Sequence, residues 1–212
     1  IRDRAYVIMI ILIWIPMARR KSLAFLDVGQ GDCFVADTKS GAVIFDGGSS
    51  SEDQVGRYRI LPYMKYLGYQ KIQIAVISHM DIDHYSGIKE LLEMGKIKYL
   101  GLPEIPKDET MKKIIGIAKK RGTTIFYLSR GRQITTKDGS LKVLHPQKNS
   151  QMEKNAASLV MQGKILGYQV LLTGDVEKEG EEELLSEELE RADILKAAHH
   201  GSKNSCLLYT SD

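Results

Sequence analysis

The sequence predicts one α/β domain, a sandwich of strands and helices, preceded by a hydrophobic segment. Short apolar runs typical of strands recur along the chain and alternate in its central part with runs of helical spacing. The run at residues 72–78 is almost entirely apolar, as expected for a strand that is buried on both faces of a sheet. The length of 212 residues is enough for one substantial core, and no internal repeat divides the chain.

The first part of the domain contains three predicted strands and one helix. Glycines that permit tight turns bound the strands, and the third strand ends in Asp46-Gly47-Gly48. The helix has apolar residues at helical spacing and stops at Gly68. The strands are predicted at residues 23–27, 33–37 and 42–45, and the helix at 55–67.

The rest of the domain continues the alternation of strands and helices. After the strand at 72–78 and a polar loop, a helix is predicted at 86–94, closed by Gly95. A strand at 98–102 and a helix at 109–121 repeat this order. Strands are then predicted at 123–128, 141–144, 158–162 and 168–173, followed by an acidic helix at 177–189 and a last strand at 193–198.

The composition is that of an ordinary soluble domain and excludes few functions. Hydrophobic residues make up 43% of the chain and charged residues 27%, and the formal net charge is +3. This mild basicity is compatible with a polyanionic substrate but does not require one. The two cysteines, Cys33 and Cys206, form no CxxC pair, so neither a cysteine-built zinc site nor a disulfide scaffold is expected.

Residues 1–21 are interpreted as a hydrophobic, membrane-proximal segment with basic flanks. The uncharged run at 5–18 would span roughly 21 Å as a helix, which is shorter than a bilayer core of about 30 Å. Because the chain begins with Ile1, we interpret the run as the end of a transmembrane helix or as a short anchor. A buried core segment and the apolar part of a signal peptide are the alternatives.

The strongest local signal for chemistry is the sequence His79-Met80-Asp81-Ile82-Asp83-His84, which directly follows a buried strand. Without bound cations, carboxylates this close together would repel one another, and the removal of water from them and from the imidazoles would be costly. Mixed nitrogen and oxygen ligands suit zinc, manganese or iron. The sequence therefore predicts a metal site, and the alternative is an exposed loop in which Asp83 caps the following helix.

Two distant segments support the metal site. Asp175 follows a predicted strand and a glycine, and His199 and His200 follow the last predicted strand. A lone aspartate or histidine in such a place is more often structural. Three clusters of this kind at strand ends are typical of a functional site, because sites in α/β sheets form where strands end.

These segments together resemble the metallo-β-lactamase superfamily. More narrowly, they resemble the C-terminal domain of the competence DNA-uptake channel (ComEC) family, over residues 22–205. The resemblance depends on five motifs: Leu-Asp-Val-Gly-Gln-Gly-Asp at 26–32, Phe-Asp-Gly-Gly at 45–48, the loop at 79–84, Thr-Gly-Asp at 173–175 and His-His-Gly-Ser at 199–202. The first and last of these motifs are the most specific.

The resemblance implies an αββα sandwich with one or two divalent metal ions, zinc or manganese, at one edge. His79 and Asp81 would hold the first ion, and the second would be held by Asp83, His84 and His199. Asp175 would bridge the two ions, and Asp46 would support the metal loop from behind. Further residues expected to line the site are Asp27, Gln30, Asp32, Asn155 and Ser158.

The sequence departs from the superfamily pattern at two positions. A further histidine is common between the metal loop and the bridging aspartate, and here only His145 is available, which we interpret as structural. The first metal site is therefore expected to be the weaker one. The second position of the loop is Asp81 instead of a histidine, and this harder ligand favours manganese relative to an all-histidine site.

The end of the chain also differs from the family. Members continue beyond His-His-Gly-Ser with further strands and a helix, so the hydrolase domain is expected to be incomplete here. Residues 206–212 do not resemble that continuation and are interpreted as a non-native tail.

The implied activity is metal-assisted hydrolysis of a phosphodiester, in which Asp83 is catalytic and His200 stabilises or protonates the leaving oxygen. The implied partner is single-stranded DNA, and the membrane is reached through a parent protein at the cell surface, with the domain outside the cytoplasm. No nucleotide cofactor is implied. The alternatives are a secreted metallohydrolase for a small phosphodiester, ester or lactam, and a non-catalytic domain that binds DNA or a partner.

Overall fold

The structure is a computed structural model that describes residues 21–152, 154–186 and 189–201. The predicted membrane-proximal segment, apart from Lys21, and the tail at 206–212 lie outside the described residues, as does Ser202 of the last motif. Among the described residues, no helix combines the length and the apolar character that crossing a membrane requires.

The first sheet has six strands in the order β1-β2-β3-β4-β5-β6. The first three strands are antiparallel neighbours, and β3 to β6 run parallel to one another. The bounds are β1 Leu23–Phe25, β2 Phe34–Thr38, β3 Gly41–Phe45, β4 Ile72–Val76, β5 Ile97–Pro103 and β6 Thr124–Leu128.

The second sheet has five strands in the order β11-β10-β9-β8-β7. All neighbours are antiparallel except β10 and β11, which are parallel. The bounds are β7 Gln133–Thr136, β8 Gly139–His145, β9 Val160–Ile165, β10 Tyr168–Leu172 and β11 Ile194–Lys196.

The helices cover the outer faces of the two sheets. Three helices pack on the first sheet through a core that includes Ile60, Met64, Leu91 and Ile114, and the fourth packs on the second sheet through Leu184. A separate apolar layer lies between the sheets. The helices are α1 Leu61–Tyr66, which continues a π-helical turn at Gly56–Ile60, α2 Ile82–Glu93, α3 Glu109–Lys120 and α4 Glu179–Leu185.

This αββα layering confirms the predicted fold class, although several elements differ from their predicted bounds. The strand β7 was not predicted, because Gln133–Thr136 is short and mostly polar. The helix α4 is shorter than the predicted span of 177–189. The helix α2 begins at Ile82 instead of residue 86, which places Asp83 and His84 in its first turn.

Candidate metal centre

The site is built where four strands end at one edge of the sandwich. Asp46 directly follows β3, and the metal loop begins shortly after the parallel strand β4. Asp175 and the histidine pair follow the parallel strands β10 and β11 in the same way. The carboxyl ends of parallel neighbours meet at one edge, so these distant segments converge.

Asp46 anchors the metal loop and the first turn of α2. Its carboxylate is buried and accepts hydrogen bonds from the backbone N–H of Ser78 (2.7 Å) and from the Ser78 hydroxyl (2.8 Å). The same carboxylate lies 2.9 Å from Nδ1 of His84. This contact fixes the ring of His84 and leaves Nε2 to face the site, a position compatible with the supporting role that the resemblance implies for Asp46.

His79 and His84 bring two buried imidazoles together, with ring centroids 4.2 Å apart. Nδ1 of His79 lies 3.0 Å from the Ser78 hydroxyl. The Nε2 atoms of both rings are buried and make no hydrogen bond of good geometry to the described residues. Carboxylate oxygens lie close to them: Asp81 Oδ2 is 3.7 Å from His79 Nε2, and Asp175 Oδ2 is 3.1 Å from His84 Nε2.

Such buried, unsatisfied nitrogens beside carboxylates fit a divalent metal ion. A buried polar atom without a partner costs free energy, and a cation shared with the carboxylates would remove that cost. Four side chains, Asp32, His84, Asp175 and His200, each offer a ligand atom within 4.8 Å of the others. Imidazole nitrogens and carboxylate oxygens are donor types that suit zinc or manganese.

Asp175 and His84 strongly shift each other's pKa. Burial alone would raise the pKa of Asp175, but the close contact and charge of His84, together with Lys196, hold that pKa well below its usual range. Burial alone would lower the pKa of His84, but Asp46 and Asp175 raise it to about 10. The site therefore has an excess of negative charge, which favours cations.

The two C-terminal histidines face different ways. Nε2 of His200 lies 3.3 Å from Asp83 Oδ2 and 3.8 Å from Asp175 Oδ2. The ring of His199 instead lies against Glu177, with Nδ1 3.2 Å from Oε2, and only its backbone N–H reaches Asp175 Oδ1 (3.2 Å). The structure thus brings His200 into the cluster, whereas the resemblance had implied His199 as the ligand.

The remaining predicted residues divide into three groups. Asp32 joins the cluster, with Oδ2 3.7 Å from His84 Nε2. Ser158 and Asn155 each have a buried side-chain oxygen without a hydrogen-bond partner among the described residues, and the β-carbon of Ser158 lies beside Gly174.

Asp27 and Gln30 are exposed and take part in local turn contacts. The Asp27 carboxylate accepts a hydrogen bond from the N–H of Gly29, and the backbone of Gln30 contacts the polar loop at Ser50 and Ser51. The structure does not bring these two side chains to the centre.

His145 is the only histidine of the sequence available as an extra ligand, and its ring contacts residues outside the metal centre. It is buried, with Nε2 2.7 Å from the carbonyl of Ala156 and Nδ1 3.2 Å from Glu183 Oε2. Both ring nitrogens therefore have neighbours outside the cluster. This agrees with the structural role that the sequence predicts.

Sequence reasoning missed Lys196, which lies inside the centre. Its ammonium is 2.5 Å from Asp32 Oδ2 and 2.8 Å from Asp175 Oδ1. The available signal was a single lysine in the otherwise apolar run at 194–198.

An open cleft of about 590 Å³ borders the centre at His79 and Asp81. Its apolar walls include Met80, Ile105 and Met152. The described lining contains carboxylates but no lysine or arginine. The negative charge of an anionic substrate in this cleft would therefore be neutralised by the metal centre and not by basic side chains of the lining.

The metallo-β-lactamase superfamily profile matches residues 26–208. The chain is 33% identical over 218 residues to ComE operon protein 3 of Bacillus subtilis (strain 168), a match that covers 94% of this chain and 28% of that protein. It is 28% identical over 189 residues to Competence protein ComA of Neisseria gonorrhoeae, covering 84% of this chain and 23% of the relative. The chain thus spans about a quarter of the length of these curated relatives. Both are competence proteins of the ComEC family, which confirms the predicted resemblance.

Solved structures show the same fold. The crystal structure of the metallo-β-lactamase fold protein YhfI from Bacillus subtilis superposes with a TM-score of 0.52 at 17% identity. The match covers 78% of this chain and 62% of that chain. This likeness confirms the predicted fold.

Proposed function

The chain belongs to the metallo-β-lactamase superfamily, and we propose that it is a metal-dependent phosphodiester hydrolase that degrades one DNA strand during competence DNA uptake. The observation that carries the proposal is the pair of buried, unsatisfied Nε2 atoms of His79 and His84, facing carboxylates beside an open cleft. The names of the curated relatives supply the context of DNA uptake.

The charges of the centre match two divalent ions. Five carboxylates meet in the centre, and the Lys196 ammonium offsets one of their charges. Imidazoles must be neutral to bind metal ions, and the remaining excess of four negative charges then equals the charge of two divalent cations. The five carboxylates belong to Asp32, Asp46, Asp81, Asp83 and Asp175.

Two groups of side chains would hold these ions. We assign His79 and Asp81 to the first ion, and His84, Asp83 and His200 to the second, with Asp175 between them. His200 takes the ligand position implied for His199, because its Nε2 faces Asp83. A ligating Nε2 cannot also donate a proton, so the geometry favours this role for His200 over protonation of the leaving oxygen.

When bound, divalent ions would supply a water of lowered pKa and neutralise charge on the phosphoryl oxygens. The residues of the chain orient this chemistry. Asp46 fixes the His84 ring through Nδ1, and Ser78 does the same for His79. The open cleft beside Asp81 leaves room for the nucleotides that flank the scissile phosphate. In the parent protein, we place this domain at the outer side of the cell membrane.

A panel of substrates and metals tests the proposal. We expect the chain, freed of metal by a chelator, to cleave single-stranded DNA only after Mn²⁺ or Zn²⁺ is restored, and Mn²⁺ to support activity because Asp81 is a hard ligand. Gel analysis of a labelled oligonucleotide gives the rate, with a chromogenic phosphodiester and a chromogenic lactam run in parallel. Turnover of the lactam or the small phosphodiester without DNA cleavage would contradict the proposal, as would DNA cleavage that survives the chelator.

A further inference from the structure

Lys196 is a buried lysine whose ammonium lies among three oxygen atoms. The residue is 6% exposed. Its Nζ donates hydrogen bonds to the carbonyl oxygen of Gly174 (2.6 Å) and to Asp175 Oδ1 (2.8 Å), and it forms an ion pair of 2.5 Å with Asp32 Oδ2. Lys196 is therefore a fixed cation and not a side chain that reaches for substrate.

A hydrogen bond from a neighbouring strand end also fixes the backbone at Lys196. Its carbonyl oxygen accepts a hydrogen bond of 2.7 Å from the Thr173 hydroxyl, which joins the ends of β10 and β11. The ammonium lies against the carboxylates of Asp32 and Asp175, and such neighbours favour its charged form.

The two carboxylate oxygens of Asp175 have different partners, because Lys196 contacts only one of them. Oδ1 lies against the ammonium, while Oδ2 faces the imidazoles, 3.1 Å from His84 Nε2 and 3.8 Å from His200 Nε2. Asp32 Oδ2 is engaged by the same ammonium, although it also lies within 4 Å of His84 Nε2. By distance alone Asp32 belongs to the ligand cluster, but its charge is already compensated.

From this geometry we propose that Lys196 is a positioning residue that acts as a built-in cation. It keeps Asp32 out of the metal coordination shell, confines Asp175 to one coordinating oxygen and so limits how many divalent ions the centre binds. The inference rests on the proposed metal centre and assigns Asp32 as the counter-ion of Lys196. In this account, removal of the ammonium leaves two adjacent, uncompensated carboxylates, which are a site for a further cation.

The test counts Mn²⁺ ions bound per chain, by equilibrium dialysis with elemental analysis. Lys196→Met keeps an unbranched side chain, one atom shorter, but loses its charge, and we expect it to bind about one Mn²⁺ more than the unsubstituted chain. The double variant Lys196→Met with Asp32→Asn should return to the original count, because the extra ion needs Asp32. Lys164→Met, at an exposed lysine of β9, is the matched control and should not change the count.

Lys196→Gln keeps the inference testable if Lys196→Met fails to fold. Its amide can still donate a hydrogen bond to the carbonyl oxygen of Gly174 but carries no charge, so we expect the same gain of about one Mn²⁺. Lys196→Arg keeps the charge and should retain the original count. An unchanged or lower count in Lys196→Met and Lys196→Gln, or a gain in Lys196→Arg, would overturn the inference.

These outcomes separate the inference from the proposed function. Metal counts that follow the expected pattern without any DNA cleavage would support the role of Lys196 and contradict the phosphodiesterase. DNA cleavage by the unsubstituted chain with an unchanged count in Lys196→Met would do the reverse. If no variant binds Mn²⁺, both are wrong.

Discussion

Replacement of Asp83 by alanine is expected to abolish divalent-dependent DNA cleavage. Asp83 lies in the first turn of α2, and its Oδ2 is 3.3 Å from His200 Nε2 and 3.9 Å from His84 Nε2. The variant removes one carboxylate from the shell that would hold the second ion. Charge stabilisation at such a centre is worth several kcal/mol, so the rate should fall by about a thousandfold or more.

The control for Asp83→Ala is Asp53→Ala, which removes an exposed carboxylate from the polar loop before α1. It should leave the cleavage rate within about twofold of the original value, because surface changes of this kind have small effects. Rates are measured with a labelled single-stranded oligonucleotide at saturating Mn²⁺. Cleavage by Asp83→Ala at the rate of the control would remove the catalytic assignment of Asp83.

Gly48→Ala is expected to inactivate the centre without touching a ligand. A β-carbon at Gly48 would lie 2.6 Å from the backbone carbon of Asp83 and 2.7 Å from the backbone nitrogen of His84. These are backbone atoms of the first turn of α2, so this turn and its two side chains must shift. Overpacking of this kind costs about 1 to 3 kcal/mol of stability, and a displacement of 1 Å at an active site can cost about a hundredfold in rate.

The matched control is Gly116→Ala, at an exposed position within α3 where a β-carbon has no neighbour within 4 Å. This variant should leave cleavage unchanged and raise the free energy of unfolding by roughly 0.5 to 1 kcal/mol, because alanine is the better helix former. Urea unfolding and the oligonucleotide assay report the two effects. A Gly48→Ala variant as active and stable as Gly116→Ala would show that the close packing is not needed.

Much of the fold could be predicted because its elements carry clear periodic signals. The apolar run of β4 and the helical spacing of apolar residues in α3 predict these elements from local sequence alone. The start of α2 was predicted too late because the polar residues Asp81, Asp83 and His84 hide the helical pattern there. Their helical placement comes from packing: the backbone of Gly47 and Gly48 lies directly against this turn.

The convergence of the site could also be predicted, whereas its finer geometry could not. Parallel strands end at one edge, so His79, Asp175 and the histidine pair were expected to meet. The sequence cannot decide between His199 and His200, since the choice depends on the backbone turn, in which both residues have positive φ.

A single lysine in an apolar run does not by itself reveal the role of Lys196. It lies at the end of β11, which is an edge strand of the second sheet among the described residues, and a lysine in such a strand is ordinarily solvent-exposed. Only the spatial arrangement shows that Asp32, distant along the chain, meets it.

Anomalous diffraction from crystals grown with Zn²⁺ tests most directly whether distant imidazoles and carboxylates share a metal ion. The account predicts an anomalous peak about 2.0 to 2.2 Å from both His84 Nε2 and Asp175 Oδ2, with His200 Nε2 at a similar distance. The absence of a peak between these side chains at saturating Zn²⁺, or a peak bound only by residues elsewhere on the surface, would contradict it.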